Sequence, residues 1–471
     1  MHMNSTRTEK DSIGYMEVPK EAYYGVQSQR AMENFPITGR KMNPDFIINM
    51  AKIKKAAAIT NRNALRLSPD KSDAIVRACD EVIHGKLREE FIVDPIQGGA
   101  GTSANMNMNE VIANRANELL GGEKGSYDHI HPNDHVNMAQ STNDVIPTAG
   151  KLTVLTLLTP LLKELGRLEE SLFQKSEEFD DVIKMGRTQL QDAVPMRLGQ
   201  TFHGYASMVS RDIRRLTEVS KEMYTVNLGG TAIGSSINVS PAYLHNVVPC
   251  LSSITGYPLI QAEDLFDATE NLDGFVSVSG AVKACAVDLS KMCNDLRLLS
   301  SGPRTGLGEI HLPAMQNGSS IMPGKVNPVI PEVVTQVAFL IAGHDMTITM
   351  AAEAGQMELN AFEPVVFHNL FESLTALTGA VQTLTDHCII GITADRERCK
   401  ALMEQSAGIA TALCPYIGYQ KAADIAKTAL KTNRTVRELV LEEKLMATSD
   451  LNRILDPYAM TEVDSSMKKA M

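Results

Sequence analysis

The stretch over residues 262–299 constrains the fold more than any other part of the chain. It carries Ala281, Val282, Ala284, Cys285, Ala286, Val287, Leu289, Met292 and Leu296, with Gly280 and Ser290 among them. As a helix it is apolar or small on most sides, and a helix of that kind is buried all round. One chain rarely supplies so much two-sided burial, so an oligomeric helical core is the simplest account. Two more long helices are predicted over residues 145–178 and 195–224, with Pro160 kinking or breaking the first. Others follow over residues 331–352 and 364–390.

Ahead of these, residues 1–40 are turn-rich and read as irregular. Asn43-Pro44 is a helix start, an N-cap with proline at the first helical position. A second helix is expected from Ser68-Pro69 to about Gly85, and a Gly-rich run, Gly98-Gly99-Ala100-Gly101-Thr102-Ser103, feeds a third over residues 104–120. Near the other end, Thr435-Val436-Arg437-Glu438 has the form of a capping box.

At 471 residues the chain is too long for a single core. The reading is all-α in three regions: an N-terminal helical domain over 1–141, a central long-helix bundle over 142–396, and a small C-terminal helical domain over 397–471. Aromatics at 5% and the lack of tryptophan favour helix over sheet. A formal charge of −11 argues against nucleic acid as a partner. The seven cysteines form no C-x-x-C pair and no zinc spacing, so they read as buried thiols in a reducing compartment. Residues 1–14 are polar, unlike a signal peptide, and no run of the ~18 residues a membrane span needs is both uncharged and continuously apolar. The expectation is a cytoplasmic protein with no metal, cofactor or membrane partner.

Residues 301–328 interrupt the helices with Gly306, Gly308, Pro313, Gly318, Pro323, Gly324 and Pro328. Gly318 to Lys325 approaches a phosphate-binding loop but has one residue too many between its glycines, and Val326 replaces the hydroxyl that would reach magnesium. What remains is Ser319-Ser320, Lys325 and Asn327 in one turn. A serine acts as a general base only where backbone amides or a cation stabilise its alkoxide. On composition alone the segment also reads as a turn-rich connector.

The string Gly318-Ser319-Ser320-Ile321-Met322-Pro323-Gly324-Lys325-Val326-Asn327-Pro328 resembles the signature of the fumarase/aspartase superfamily. Gly98 to Ser103, Ser141-Thr142-Asn143-Asp144 and Met185-Gly186-Arg187-Thr188-Gln189-Leu190-Gln191-Asp192-Ala193 resemble its other motifs, in its order, over essentially the whole chain. The resemblance implies a four-carbon dicarboxylate substrate. A base takes a proton from the carbon beside one carboxylate, an aci-carboxylate intermediate forms, and a leaving group departs from the next carbon. It makes Ser319 the base and Thr102, Ser141, Thr142, Asn143, Thr188, Gln189, Ser320, Lys325 and Asn327 the donors around the two carboxylates. All are hydrogen-bond donors and only Lys325 is charged. Ser141, Thr142 and Asn143 also read as caps of the helix that follows, a role compatible with anion binding. The resemblance further implies a homotetramer with a twenty-helix core. Each active site would then draw on three chains: Thr102 and residues 141–143 from one, Thr188 and Gln189 from another, the Ser319 loop from a third.

Fumarase-like relatives usually place a histidine at the position of Gln189, paired with a Glu that falls on Glu332. Glutamine cannot take a proton at neutral pH, so water activation would lack its usual partner. The implied reaction is the reversible deamination of L-aspartate to fumarate and ammonia. Hydration of fumarate, or a non-catalytic structural relative, are the alternatives. One departure stands out: Ser236 occupies a position that is often glycine, and it is strained if its φ is positive. The stretch holding His129, His131 and His135 reads as structural. A second anion site, by resemblance, and metal ligation are the other readings.

Overall fold

The structure, a computed structural model, describes residues 5–456 and 458–461. Residues 1–4 and 462–471, the outer ends of two of the expected regions, lie outside the described residues. The elements run β1 (Thr6–Asp11), β2 (Gly14–Pro19), α1 (Val26–Asn34), α2 (Pro44–Asn63), α3 (Pro69–Ile83), α4 (Thr102–Leu119), α5 (Thr142–Glu178), β3 (Ile183–Thr188), β4 (Gln191–Arg197) and α6 (Leu198–Val219). They continue with β5 (Thr225–Val226), α7 (Pro241–Thr255), β6 (Ile260–Gln261), α8 (Asp267–Glu270), α9 (Asp273–Leu299), β7 (Ile310–His311), α10 (Val329–Glu353), α11 (Glu363–His387) and β8 (Thr393–Ala394). The last helices are α12 (Arg396–Gln405), α13 (Cys414–Ile417), α14 (Tyr419–Thr432), α15 (Val436–Glu442) and α16 (Thr448–Ile454). Among the described residues the strands form four two-stranded pairs, and the molecule is mostly helical, as expected.

Several boundaries differ from the sequence reading, each for a physical reason. Of the stretch read as irregular, residues 6–34 form the β1–β2 hairpin and α1. The start of α1 is capped from outside: Glu110 on α4 accepts the N–H groups of Gly25 (2.9 Å), Gln27 (2.9 Å) and Ser28 (3.1 Å) and the Ser28 hydroxyl (2.5 Å). Burial pushes the Glu110 carboxyl up to about 7. A cap supplied 82 residues away has no local signature. Pro195 does not open a helix but sits in β4, and α6 begins at Leu198. The expected helix over 262–299 is shorter, beginning at Asp273.

Helix α5 runs unbroken through both Pro147 and Pro160. Proline at 147 removes the N–H that the Asn143 carbonyl would receive. The Asn227 amide donates to that carbonyl instead, at 3.0 Å. Pro160 lies exposed, where water serves the same purpose.

The chain divides into two compact units: Met1–Leu162, Arg214–Ala284 and Phe339–Thr378 form one, and Lys163–Ile213, Cys285–Ala338 and Gly379–Met471 the other. Helices α5, α6, α9, α10 and α11 contribute residues to both. In the first unit, Phe46, Phe275, Phe367 and Phe371 pack ring against ring with centroids 5.0–5.8 Å apart, joining α2, α9 and α11. In the second, Met185 packs with Met403, Ile409, Leu413, Ile425, Leu439 and Leu451. The capping box of Thr435 and Glu438 closes in both directions.

Helices α5 and α10 are long and apolar enough to cross a bilayer by length and composition alone, although Lys151 interrupts the apolar stretch of α5 and Asp345 that of α10. Most of the apolar stretch of α5 is buried within the protein, whereas α10 exposes Phe339, Leu340, Met346 and Met350. Such a large apolar helix face is a surface in want of a partner.

The relief of Pro147 by Asn227 is testable. Asn227→Ala leaves the half-buried Asn143 carbonyl without its donor, removes the bond to the Thr269 hydroxyl, and lowers stability by about 2 kcal/mol. In a Pro147→Ala background, where the helix recovers its own N–H, the loss shrinks by about half. Urea midpoints of the four proteins measure this, and equal losses in both backgrounds contradict it.

Candidate functional site

In the first unit the N-terminal ends of α4 and α5 meet. Thr102 opens α4, and its hydroxyl donates to the Gly99 carbonyl at 2.7 Å while remaining exposed. Gly101 before it has φ +86°, and a Cβ there would lie 2.9 Å from Ile146 on α5. Only glycine allows both this backbone and this approach. Asn105, one turn into α4, donates to the Thr142 hydroxyl at 3.3 Å. Two helix N-termini side by side create a region of positive potential without any charged side chain.

The capping alternative for residues 141–143 is partly realised. The Ser141 hydroxyl accepts the Asn143 N–H at 3.2 Å, and Asp144 accepts the Ser141 N–H at 2.9 Å. Asn143 itself donates to the Ala232 carbonyl at 2.8 Å. That bond ties the α5 start to the segment holding Ser236, whose φ is +54°, so the strain expected there is present.

Beneath these donors lies a charged pair that the motifs did not single out. Lys54 on α2 is fully buried and its ammonium donates to Asn105 (2.7 Å), Asn137 (2.9 Å) and Gln140 (3.0 Å). Three side-chain acceptors require three N–H groups, hence the protonated form. Burial nevertheless pulls Lys54 down to about 7. Asp144, equally buried, accepts the N–H groups of Gly229 and Thr231, both at 3.0 Å. Burial pushes it up to about 6 against those hydrogen bonds. Lys54 stands between Lys52 and Lys55 in α2, and a lysine in such a cluster reads as a side chain reaching for solvent, so nothing local sets it apart. Asp144 stood inside a motif but offered no donor.

The second unit carries the other candidates. Thr188 and Gln189 are exposed at the tip of the β3–β4 hairpin, and Gln189 and Leu190 have φ +53° and +62°. Glu332 on α10 lies 4.0 Å from the Arg297 guanidinium. In the segment between α9 and α10 the Ser319 oxygen accepts two backbone N–H groups, from Met322 at 2.9 Å and Ile321 at 3.3 Å. Asn327 donates to the Gly318 carbonyl at 2.7 Å and so closes the turn. A Cβ on Gly318 would lie 2.3 Å from the Lys325 carbonyl oxygen, so the crossing requires glycine. Ser320 and Lys325 are exposed.

The histidine stretch is built for local structure. His131 accepts the N–H groups of Asn133 and Asp134, both at 3.2 Å, and His135 accepts the His131 N–H at 2.8 Å. Lys71 lies 2.8 Å from the other His135 ring nitrogen, and burial together with that ammonium lowers the His135 pKa. Among the described residues no group of three or more His, Cys, Asp or Glu side chains is arranged to hold a metal ion.

This arrangement of motifs and folds has close counterparts. A family model described as "Lyase" matches residues 14–343, and one described as "Fumarase C C-terminus" matches residues 409–462. The chain belongs to the fumarase/aspartase superfamily of lyases. Among members of the superfamily, an aspartate ammonia-lyase of a Bacillus species is 52% identical over 455 residues, covering 97% of each chain. One from Pseudomonas canavaninivorans is 54% identical over 459 residues, with 97% of each chain covered. A crystal structure of fumarate lyase:delta crystallin from Brucella melitensis bound to cobalt superposes with a TM-score of 0.95 at 50% identity, covering 98% of this chain and 100% of that one. A class II fumarase from Schistosoma mansoni gives 0.93 at 37% identity, covering 97% and 99%.

Lys54→Met tests the buried pair below the helix starts. It strands three acceptors and the Asp144 charge, and should cost about 3–5 kcal/mol at neutral pH. Because the folded pKa of Lys54 lies below that of the unfolded chain, the unfolded chain holds more protons between about pH 7 and 10. Lys54 therefore contributes a rise in stability with pH across that window, and Lys54→Met removes this contribution. Denaturant midpoints at two alkaline pH values measure both effects.

Proposed function

We propose that this protein is an aspartate ammonia-lyase that converts L-aspartate reversibly to fumarate and ammonia. Ser319 takes the proton from the carbon beside the distal carboxylate. The electron pair of that C–H bond moves into the carboxylate, giving an aci-carboxylate with extra charge on its oxygens. Collapse of this intermediate forms the carbon–carbon double bond and breaks the carbon–nitrogen bond, whose electrons leave with ammonia.

The observation that carries this reading is the pair of N–H groups donated to the Ser319 oxygen. Donors that favour a serine alkoxide turn a weak base into a usable one. Thr102, Ser141, Thr142, Asn143, Thr188, Gln189, Ser320, Lys325 and Asn327 surround the two carboxylates. One such donor is worth about 3–4 kcal/mol where it meets developing charge. In the starting amino acid the leaving group is an ammonium that departs as a neutral amine, so it needs less help than hydroxide. Gln189 supports this choice because its amide offers no base for activating water.

The protein is a homotetramer in this reading, with each site assembled from three chains. The exposed apolar face of α10 supports that arrangement, because copies of the same helix cover it without lipid. Asp345 on the same helix, bonded to Ser279 and Lys283, supports a protein neighbourhood over a bilayer. In this reading the chain keeps three sequence regions, 1–141, 142–396 and 397–471. Seven free cysteines support a reducing, cytoplasmic setting.

L-aspartate alone should yield fumarate, followed by its ultraviolet absorbance, and fumarate in water without ammonia should yield no malate. Malate formation from that mixture, with no product from aspartate, makes the protein a hydratase.

A further inference from the structure

Glu309 touches no substrate in the scheme above, yet it is charged and wholly buried, on the stem of the segment that carries Ser319. Its backbone is fixed from several sides. Its N–H donates to the Leu299 carbonyl at 2.9 Å, and its carbonyl accepts the Asp395 N–H at 3.0 Å and the Cys399 thiol at 3.5 Å. Arg398 fixes the turn just before it, donating to the carbonyls of Gly306 (2.8 Å) and Leu307 (2.9 Å).

The carboxylate of this anchored residue receives Arg187 through both oxygens, at 3.0 and 2.9 Å, with the Lys184 ammonium at 3.5 Å. Arg187 directly precedes Thr188. A register shift between Met185 and Arg187 breaks the β3–β4 ladder there, the kind of irregularity that re-aims a side chain. Beyond it, Gln189 and Leu190 hold left-handed backbone in a two-residue turn without the Asn or Gly such turns favour. Leu190 is 69% exposed, so burial at the tip does not hold the turn. What holds it is the stem.

We propose that Glu309 is a positioning residue: through Arg187 it sets the conformation in which Thr188 and Gln189 receive a substrate carboxylate. The proposal rests on the assignment of those two residues as substrate donors under the function above. Removing the negative charge leaves the buried Lys184 and the half-buried Arg187 without that counter-charge, and the turn is the exposed part free to move in response.

Steady-state kinetics with L-aspartate on Glu309→Gln, Thr188→Val and the double variant tests this. Glu309→Gln should raise KM about tenfold or more, with kcat within about threefold of the parent, because a contact made alike in the ground and transition states is lost. The double variant should be little worse than either single one, since both remove the same contact. Glu309→Asp, which keeps the charge, should recover KM to within about threefold. An unchanged KM in Glu309→Gln, or effects that multiply in the double variant, overturns the proposal. If Thr188→Val raises KM and Glu309→Gln does not, the proposal alone falls; if Thr188→Val has no effect, the assignment of the turn falls with it. Should Glu309→Gln fail to fold, Arg187→Gln removes the Nη1 that meets both Glu309 oxygens, and a raised or unchanged KM in that variant decides the question in the same way.

Discussion

Two backbone N–H groups aimed at one serine oxygen set the terms for the rest of the molecule. A serine hydroxyl is a poor base, and it becomes useful only where its deprotonated form is met by donors already in place. Met322 and Ile321 supply them, and they point at Ser319 because the chain turns sharply around it. That turn depends on the crossing at Gly318, where no side chain fits, and on Asn327 closing the ends. Asn327 therefore has a structural use of one amide hydrogen in addition to any donor role, with the second left for a ligand.

The same economy of charge marks the other candidate donors. Thr102 and residues 141–143 stand at helix starts, where partial positive charge comes from the backbone. The formal charges nearby are Lys54 and Asp144, both withdrawn beneath the surface. Their work is to hold Asn105 and the Ser141 turn in place. Neutral preorganised donors suit a substrate that enters and leaves as an anion, since they need not give up a strong ion pair at each turnover. The whole chain can then remain acidic without repelling its substrate at short range.

The long helices, both helix-start motifs and the break in the helices around Ser319 were legible in the sequence, because each has a local signal: apolar periodicity, a proline after an asparagine, clustered glycines. What was hidden depends on partners distant in sequence. α1 is capped by Glu110, α5 survives Pro147 through Asn227, and the β3–β4 turn forms from Gln189 and Leu190 with no turn residue to announce it. Lys54 and Glu309 carry no local signal, because what buries and pairs each of them is distant in sequence. The strain at Ser236 was foreseen because backbone φ limits which residues fit, whatever their surroundings.

Ser319→Ala tests the central claim most directly. It deletes the oxygen that the two N–H groups hold and leaves the surrounding donors in place. Turnover of L-aspartate should fall by about a thousandfold or more, while fumarate binding, measured by calorimetry, stays within a few-fold of the parent. A variant that still releases fumarate at close to the parent rate would contradict the assignment of Ser319 as the base.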